Sequence, residues 1–442
     1  MPRTVRFSDW ASLDEQNRRA AAAAAVERAR TLEPRLHAFV SLGVSASASG
    51  GGVLDGMPYA AKDIFATTGR QPTCGLDHGI DIGCCGDAEV LRRLDQSGAV
   101  RIGFCTMTEL ACEPSGYSTQ QTPARNPWNA DFITGGSSSG SAVAVASASV
   151  IFALGSDTGG SVRIPAHACG LTAWKPTIGW VSTQGAMALA PTLDTIGILA
   201  RSAADLAVPA ALLFDDRSGP RPIGCAVVLA DVLTAAEPPI RRACEVGIEA
   251  IAAAGIKITR RDASVAIETV DHHALVVLQG EPARVHRARI DDAALDPMLR
   301  KRLAKGLAID EAALAASRAA RTLLSERFLE HVLADADAAL LPVMPIRTPL
   351  CAVCDPTSPE FDPRTLYRLS QWTRFVNMLG FPALAMPVGF DDRGLPVALQ
   401  IVGRPGSDLA LIALAAAVQK HSDWHGRIPA GIADLVIDGQ TA

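Results

Sequence analysis

Aromatic side chains are scarce in this chain: six Trp, three Tyr and twelve Phe make up 5% of its 442 residues. With hydrophobic residues at 48%, the core has to be built from aliphatic and small side chains, which suits a large globular α/β enzyme and not a disordered or fibrous chain. An excess of either charge is also missing. Lys and Arg number 41 against 46 Asp and Glu, giving a net charge of -5, and no Lys/Arg stripe interleaves with aromatics, so no nucleic-acid partner is expected. No run reaches the roughly 18 apolar residues that a membrane span needs. The alanine run 20–25 is bracketed by Arg18, Arg19, Glu27 and Arg28 and reads as a surface helix, not an export signal. The ten cysteines are scattered, and the adjacent Cys84 and Cys85 are poorly placed for a relaxed disulfide. A soluble cytoplasmic protein with reduced thiols and no membrane partner is expected.

Several familiar chemistries are absent. There is no G-x-x-x-x-G-K-[ST] phosphate loop and no G-x-G-x-x-G dinucleotide fingerprint. H-E-x-x-H is missing, and His272 and His273 diverge on either a strand or a helix, so neither a metal nor any other cofactor is implied. None of the nine histidines accompanies a G-x-S-x-G elbow. His167 is the nearest in sequence to the serines discussed below and reads as a local packing residue.

What is present is an α/β rhythm. Residues 12–33 read as a helix ending near Pro34, and SASASGGG (45–52) reads as a loop. MPYAAKDIF, AEVLRRLDQSGA and VRIGFCTM then follow as strand, helix and strand. IGCAVVLAD, PPIRRACEVGIEAIAAAG and IKITRR form a βαβ piece within 222–260. A helical stretch at 283–334 precedes the strand AALLPVMP, and LGFPALAMPVGF and LPVALQIVG pair across the turn DDRG before a last helix, SDLALIALAAAVQKH. These elements predict one α/β domain with a central mixed, twisted sheet covered by helices on both faces. Its parts are a core at about 53–206, a pocket-forming region at about 215–376 and a closing segment at 377–442.

The densest Gly/Ser region holds the candidate chemistry. GGSSSGS (135–141) reads either as a flexible loop or as serines carried at the start of the small-residue helix that follows. In GSDTGGSVRIPA (155–166), Ser161 follows two glycines. The segment reads as an ordinary turn, or as a place where the backbone N–H groups of Thr158, Gly159, Gly160 and Ser161 converge on a developing oxyanion. A serine nucleophile needs a base. Lys62 interrupts an apolar run and is either a solvated edge lysine or, if buried, a neutral amine able to accept a proton.

G-x-P-x-x-x-K-D, GGSSSGSA and GSDTGGSVRIPA together resemble the amidase signature family, and ARNPWN (124–129), GLTAWKPTIGWVS (170–182), LDTIGILARSAADL (193–206) and 380–405 extend the similarity over nearly the whole chain. The resemblance implies a triad with Lys62 as base, Ser137 as a bridging serine preceded by a cis peptide bond, and Ser161 as nucleophile. The family's spacing selects Ser137 over Ser138, Ser139 and Ser141. Ser139 stands where many members carry glycine. Asp157 and Arg163 match a charged pair beside the nucleophile and read equally as support or as a plain salt bridge. Arg125, Arg374, Trp372 and Tyr367 are of types that contact substrates and are read as structural or solvent-facing. The implied activity is hydrolysis of a small carboxamide by a monomer or homodimer. The alternatives are the A subunit of a tRNA-dependent amidotransferase, disfavoured by length and the lack of a basic surface, and a catalytically silent assembly subunit, disfavoured by the retained triad.

Overall fold

The computed structural model describes residues 6–45, 52–214 and 222–432. Most of the expected 45–52 loop lies outside them. The first long helix, α1, spans Glu15–Leu36, shifted from the expected 12–33 at both ends. Its start is set by Asp14, whose carboxylate accepts from the Asn17 N–H at 2.8 Å. Pro34 falls in its last turn, where the lost donor is tolerated, and His37 closes it in the left-handed region (φ 50°, ψ 42°). Glu33 then accepts from the amides of Ala38 and Phe39.

Among the described residues, eleven strands form a single mixed sheet: β1 Phe39–Leu42, β2 Pro58–Lys62, β3 Val100–Cys105, β4 Phe152–Asp157, β5 Thr172–Lys175, β6 Thr195–Ala200, β7 Cys225–Leu229, β8 Lys257–Arg261, β9 Ala338–Pro342, β10 Ala383–Phe390 and β11 Pro396–Gly403. Their order is β1-β3-β2-β4-β6-β5-β10-β11-β9-β7-β8. β2 is parallel to both β3 and β4, and β7 to both β8 and β9, while β10 and β11 form the expected antiparallel pair.

The period-2 alternation of the central strands gives the sheet two unlike faces. One carries large residues: Tyr59, Phe152, Leu154, Ile196, Ile198, Leu399 and Ile401. The other is lined by Ala60, Ala153, Ala173, Ala385 and Ala398, and against it lies the helix α2, Ser139–Ala146, made only of Ser, Gly, Ala and Val. Small residues on both sides let this helix approach the sheet backbone closely. A Cβ on Gly140 would sit 2.3 Å from the Ala38 carbonyl oxygen and 2.6 Å from the Thr106 nitrogen. The next helix along the chain, α3 (Arg163–Cys169), is also fully buried.

A helical layer rises from 264 onward, earlier than the expected 283. It comprises α4 Ser264–Val285, α5 Pro297–Leu307, α6 Glu311–Ala319 and α7 Arg321–Arg327, followed later by α8 Pro363–Leu369 and α9 Arg374–Leu379. Among the described residues no helix is long and apolar enough to cross a membrane.

Candidate active site

Lys62 ends β2, a strand flanked by β3 and β4, so it is no edge lysine. Its side chain is wholly buried, with Nζ 2.6 Å from Ser137 Oγ and 2.9 Å from Ser156 Oγ. Burial pushes its pKa down to about 7, against the upward pull of the Asp157 and Asp194 carboxylates. A substantial neutral fraction is therefore present at neutral pH.

The four block serines differ in what they touch. The Gly136–Ser137 peptide is cis, and Ser137 is the one whose hydroxyl meets the lysine. Ser138 donates to the Ser156 carbonyl at 3.3 Å, Ser139 to the Thr106 carbonyl at 3.5 Å and Ser141 to the Leu154 carbonyl at 2.9 Å. These three tie α2 to the sheet. The block is joined to the second glycine-rich segment by the Ser138 N–H, which donates to the Ser161 carbonyl at 3.2 Å.

That second segment leaves β4 and makes a tight loop. Gly160 takes φ 127°, and a Cβ there would lie 2.3 Å from Thr373 Oγ1. The Gly159–Gly160 peptide is held at both ends: Thr373 Oγ1 donates to the Gly159 carbonyl at 2.6 Å, and the Gly160 N–H donates to Asp157 Oδ1 at 2.8 Å. The Gly160 amide is thus taken. Of the four backbone donors named from the sequence, those of Thr158, Gly159 and Ser161 donate to no other group among the described residues. The Thr158 hydroxyl donates to Asp194 at 2.7 Å.

Asp157 and Arg163 form a bidentate pair in the core beneath this loop (3.0 and 2.8 Å). Burial alone would raise the Asp157 pKa, but the Arg163 charge and hydrogen bonds hold it at about 2. Arg163 also donates to Thr373 O, Gln400 Oε1 and Asn377 Oδ1, so one guanidinium links the loop to β11 and α9. His167 turns away: its Nδ1 accepts from the Ala398 N–H at 3.2 Å, and burial lowers its pKa to about 4.

Half-buried Ser161, with Thr158 and Gly159, lines a pocket of about 410 Å³. Leu275, Leu278 and Pro282 of α4, Met298 and Leu303 of α5 and Leu366 of α8 supply apolar walls. Tyr367 and Arg374 also line it, Tyr367 exposed and Arg374 buried in an ion pair, in keeping with their reading as solvent-facing or structural; Trp372 is buried and Arg125 exposed, and neither lines this pocket. Arg374 is fixed by a bidentate pair with Asp271 and stacks over Tyr367 at 4.0 Å. Sequence reading missed Ser156, Asp194 and Thr373. Ser156 lies within GSDTGGSVRIPA, but nothing in its spacing marks it, and Thr373 reaches the loop only through the fold. Among the described residues no group of three His, Cys, Asp or Glu is placed to hold a metal ion.

A buried lysine lies against a serine hydroxyl, near a glycine-rich serine loop that lines a pocket, and the chain belongs to the amidase signature family. The amidase family model matches residues 33–221 and 216–412. The chain is accordingly an enzyme of the amide-cleaving class. Among its relatives, the A subunit of glutamyl-tRNA(Gln) amidotransferase from Methylococcus capsulatus is 32% identical over 429 residues, covering 87% of each chain. Its counterpart from Pseudothermotoga lettingae is 32% identical over 463 residues, covering 91% of this chain and 94% of its own. Of solved structures, the A subunit from Thermotoga maritima superposes with a TM-score of 0.82 at 28% identity, covering 97% and 98% of the two chains. A structure described as an amidase gives 0.82 at 28% identity, covering 91% and 96%.

These relatives overturn one expectation. A monomer or homodimer acting on a small amide with no nucleic acid does not fit chains named as subunits of an enzyme for glutamyl-tRNA. Net charge reports what one chain's surface attracts and is blind to a nucleic acid held by a different chain. Length does not separate them either, since the alignments span most of both partners.

Proposed function

We propose that this chain hydrolyses a carboxamide through an acyl-enzyme on Ser161 and serves as the ammonia-releasing A subunit of an amidotransferase. The observation that carries the chemistry is the buried Lys62 Nζ at 2.6 Å from Ser137 Oγ, with its pKa lowered to about 7. Ser161 Oγ attacks the amide carbonyl while its proton moves to Ser137, and the Ser137 proton moves to neutral Lys62. The oxyanion faces the amides of Thr158, Gly159 and Ser161. Collapse breaks the C–N bond, and the relay returns the proton to the leaving nitrogen. Water then attacks the acyl carbonyl by the same relay, releasing the carboxylate.

The subunit role is supported by the named relatives. A second reading, hydrolysis not coupled to transfer, is favoured by the likeness to the solved amidase. Released ammonia is the measurement that separates them. The first reading expects slow release by the chain alone and stimulation when it is purified with the chains it associates with in its own cell. Full turnover by the isolated chain, with no stimulation, supports uncoupled hydrolysis. Absence of any ammonia or acyl-enzyme under both conditions contradicts both readings.

A further inference from the structure

Strand register decides what stands beside Thr158. β4 and β6 run antiparallel and pair Asp157 with Thr195, so one step past the ladder Thr158 comes opposite Asp194, with the two side chains on one face. The Thr195 hydroxyl donates to the Asp157 carbonyl at 2.8 Å and pins the two chains together there. Beyond that pin the Thr158 hydroxyl donates to Asp194 Oδ1 at 2.7 Å, and the same carboxylate accepts from the Leu189 N–H at 2.9 Å and the Ala190 N–H at 3.1 Å. Each of these groups is a donor, the set that an acceptor-only carboxylate satisfies. Leu189 lines the pocket together with Thr158, Gly159 and Ser161. The turn that carries Asp194 is anchored in its own right: Thr192 gives its N–H and its hydroxyl to the two oxygens of Glu281 on α4, at 3.0 and 2.6 Å, and the buried Glu281 also accepts from Arg318 of α6 at 2.7 Å.

A side chain fixed at its tip restrains the backbone that bears it. The N–H groups of Thr158 and Gly159 belong to the peptide units on either side of the Thr158 Cα, and a β-branched side chain is stiff at χ1, so holding its hydroxyl limits rotation of both units. We propose that Asp194 is a positioning residue for the amide cleavage: through the Thr158 hydroxyl it aims the backbone N–H groups that meet the oxyanion. This rests on the reading of Ser161 as the nucleophile. A hydrogen bond weakens steeply as its angle closes, so a small rotation of the loop costs stabilisation of the developing charge. Binding of the substrate's apolar part to the pocket walls does not depend on that angle, so the loss falls on the chemical step. Asparagine at 194 cannot hold the same set, because its amide group sets a donor against the Leu189 or the Ala190 N–H.

The test is the rate of covalent labelling of Ser161 by a fluorophosphonate, resolved into a maximal rate and a half-saturating concentration, with urea unfolding to confirm that each variant is folded. Thr158→Val keeps the shape and removes the hydroxyl; it should lower the maximal rate by about tenfold and leave the half-saturating concentration within about twofold. Thr158→Ser should recover the rate. Asp194→Asn should lose at least as much as Thr158→Val, and the double variant should stay within about threefold of Asp194→Asn alone, because both act through one contact. An undiminished maximal rate in folded Thr158→Val, a loss confined to the half-saturating concentration, or losses that multiply in the double variant overturn the inference and leave Ser161 as the nucleophile. Failure of the unsubstituted enzyme to label at Ser161 overturns the nucleophile reading itself, and the inference with it.

Discussion

Two lysines end two strands of the same sheet, both are buried, and burial pushes both down to about pKa 7. Lys62 meets the hydroxyls of Ser137 and Ser156, whereas Lys175 donates to the Pro176 carbonyl at 2.7 Å. Burial supplies a neutral amine in both places, but only one has a neighbour able to pass a proton. A carbonyl accepts a hydrogen bond and has no proton to give. A depressed pKa therefore marks a candidate base, and the chemistry of the contacting atom decides whether it can act as one.

The largest effect that sharpens this contrast is at the donor end of the proposed relay. Ser161→Ala should remove turnover by about 10⁴-fold or more and abolish labelling by a fluorophosphonate, read by intact mass and peptide mapping. Labelling that persists at another residue breaks the assignment. Next, Ser137→Ala should cost about 10²–10⁴-fold in kcat/KM, the usual range for lost proton transfer. Ser138→Ala, Ser139→Ala and Ser141→Ala should cost less, because those hydroxyls bond backbone groups and not Lys62. If Ser139→Ala is the most harmful of the four, the register of the block is wrong.

A smaller effect belongs to Thr373, whose hydroxyl holds the Gly159 carbonyl. Thr373→Val should lower kcat by about tenfold with little change in KM, as expected for a donor array that drifts from its aim, and Thr373→Ser should restore it. A loss confined to KM, or no rescue by serine, would show that the contact serves only packing. The smallest effect is at Lys175. Lys175→Met should leave kcat/KM within about threefold and its pH profile unmoved. Stability does not tell the two lysines apart: with the folded pKa below the unfolded value of about 10.4, the unfolded chain binds more protons in between, so each lysine makes stability rise from pH 7 toward 10. Urea unfolding at pH 7 and pH 9 should show that rise diminished in Lys62→Met and in Lys175→Met alike. A variant that keeps the full rise would mean that its lysine is charged in the fold.

How much of this was legible in sequence follows the same division. Strand and helix order could be read because alternation and small-residue runs are local, as in β2, α2 and the β10–β11 pair. Lys62, Ser137 and Ser161 stand in short motifs whose resemblance to a family names them together. Lys175 also interrupts an apolar run, in TAWKPT, and no residue pattern tells its carbonyl partner from the hydroxyl partners of Lys62. Thr373, Asn377 and Gln400 meet the Ser161 loop from the far end of the chain, through the Arg163 fork and the Gly159 carbonyl. Such contacts exist only once β11 and α9 are in place. The pocket wall is illegible for the same reason, since its leucines on α4, α5 and α8 look like ordinary buried helix positions. The shift of α1 to Leu36 reflects a proline tolerated in a last turn and a left-handed histidine cap, neither of which a helix-stop rule anticipates.

The most direct test of the central claim is kcat/KM against pH for the unsubstituted enzyme and for Lys62→Arg, with circular dichroism to confirm folding. The relay works only while Lys62 is unprotonated, so activity should fall on the acid side with an apparent pKa near 7 and hold on the alkaline side. Lys62→Arg should be folded and nearly as inactive as Lys62→Ala, because guanidinium keeps its proton throughout this range. A flat profile from pH 6 to 9, or near-normal turnover by a folded Lys62→Arg enzyme, would contradict the account and make Lys62 a structural cation.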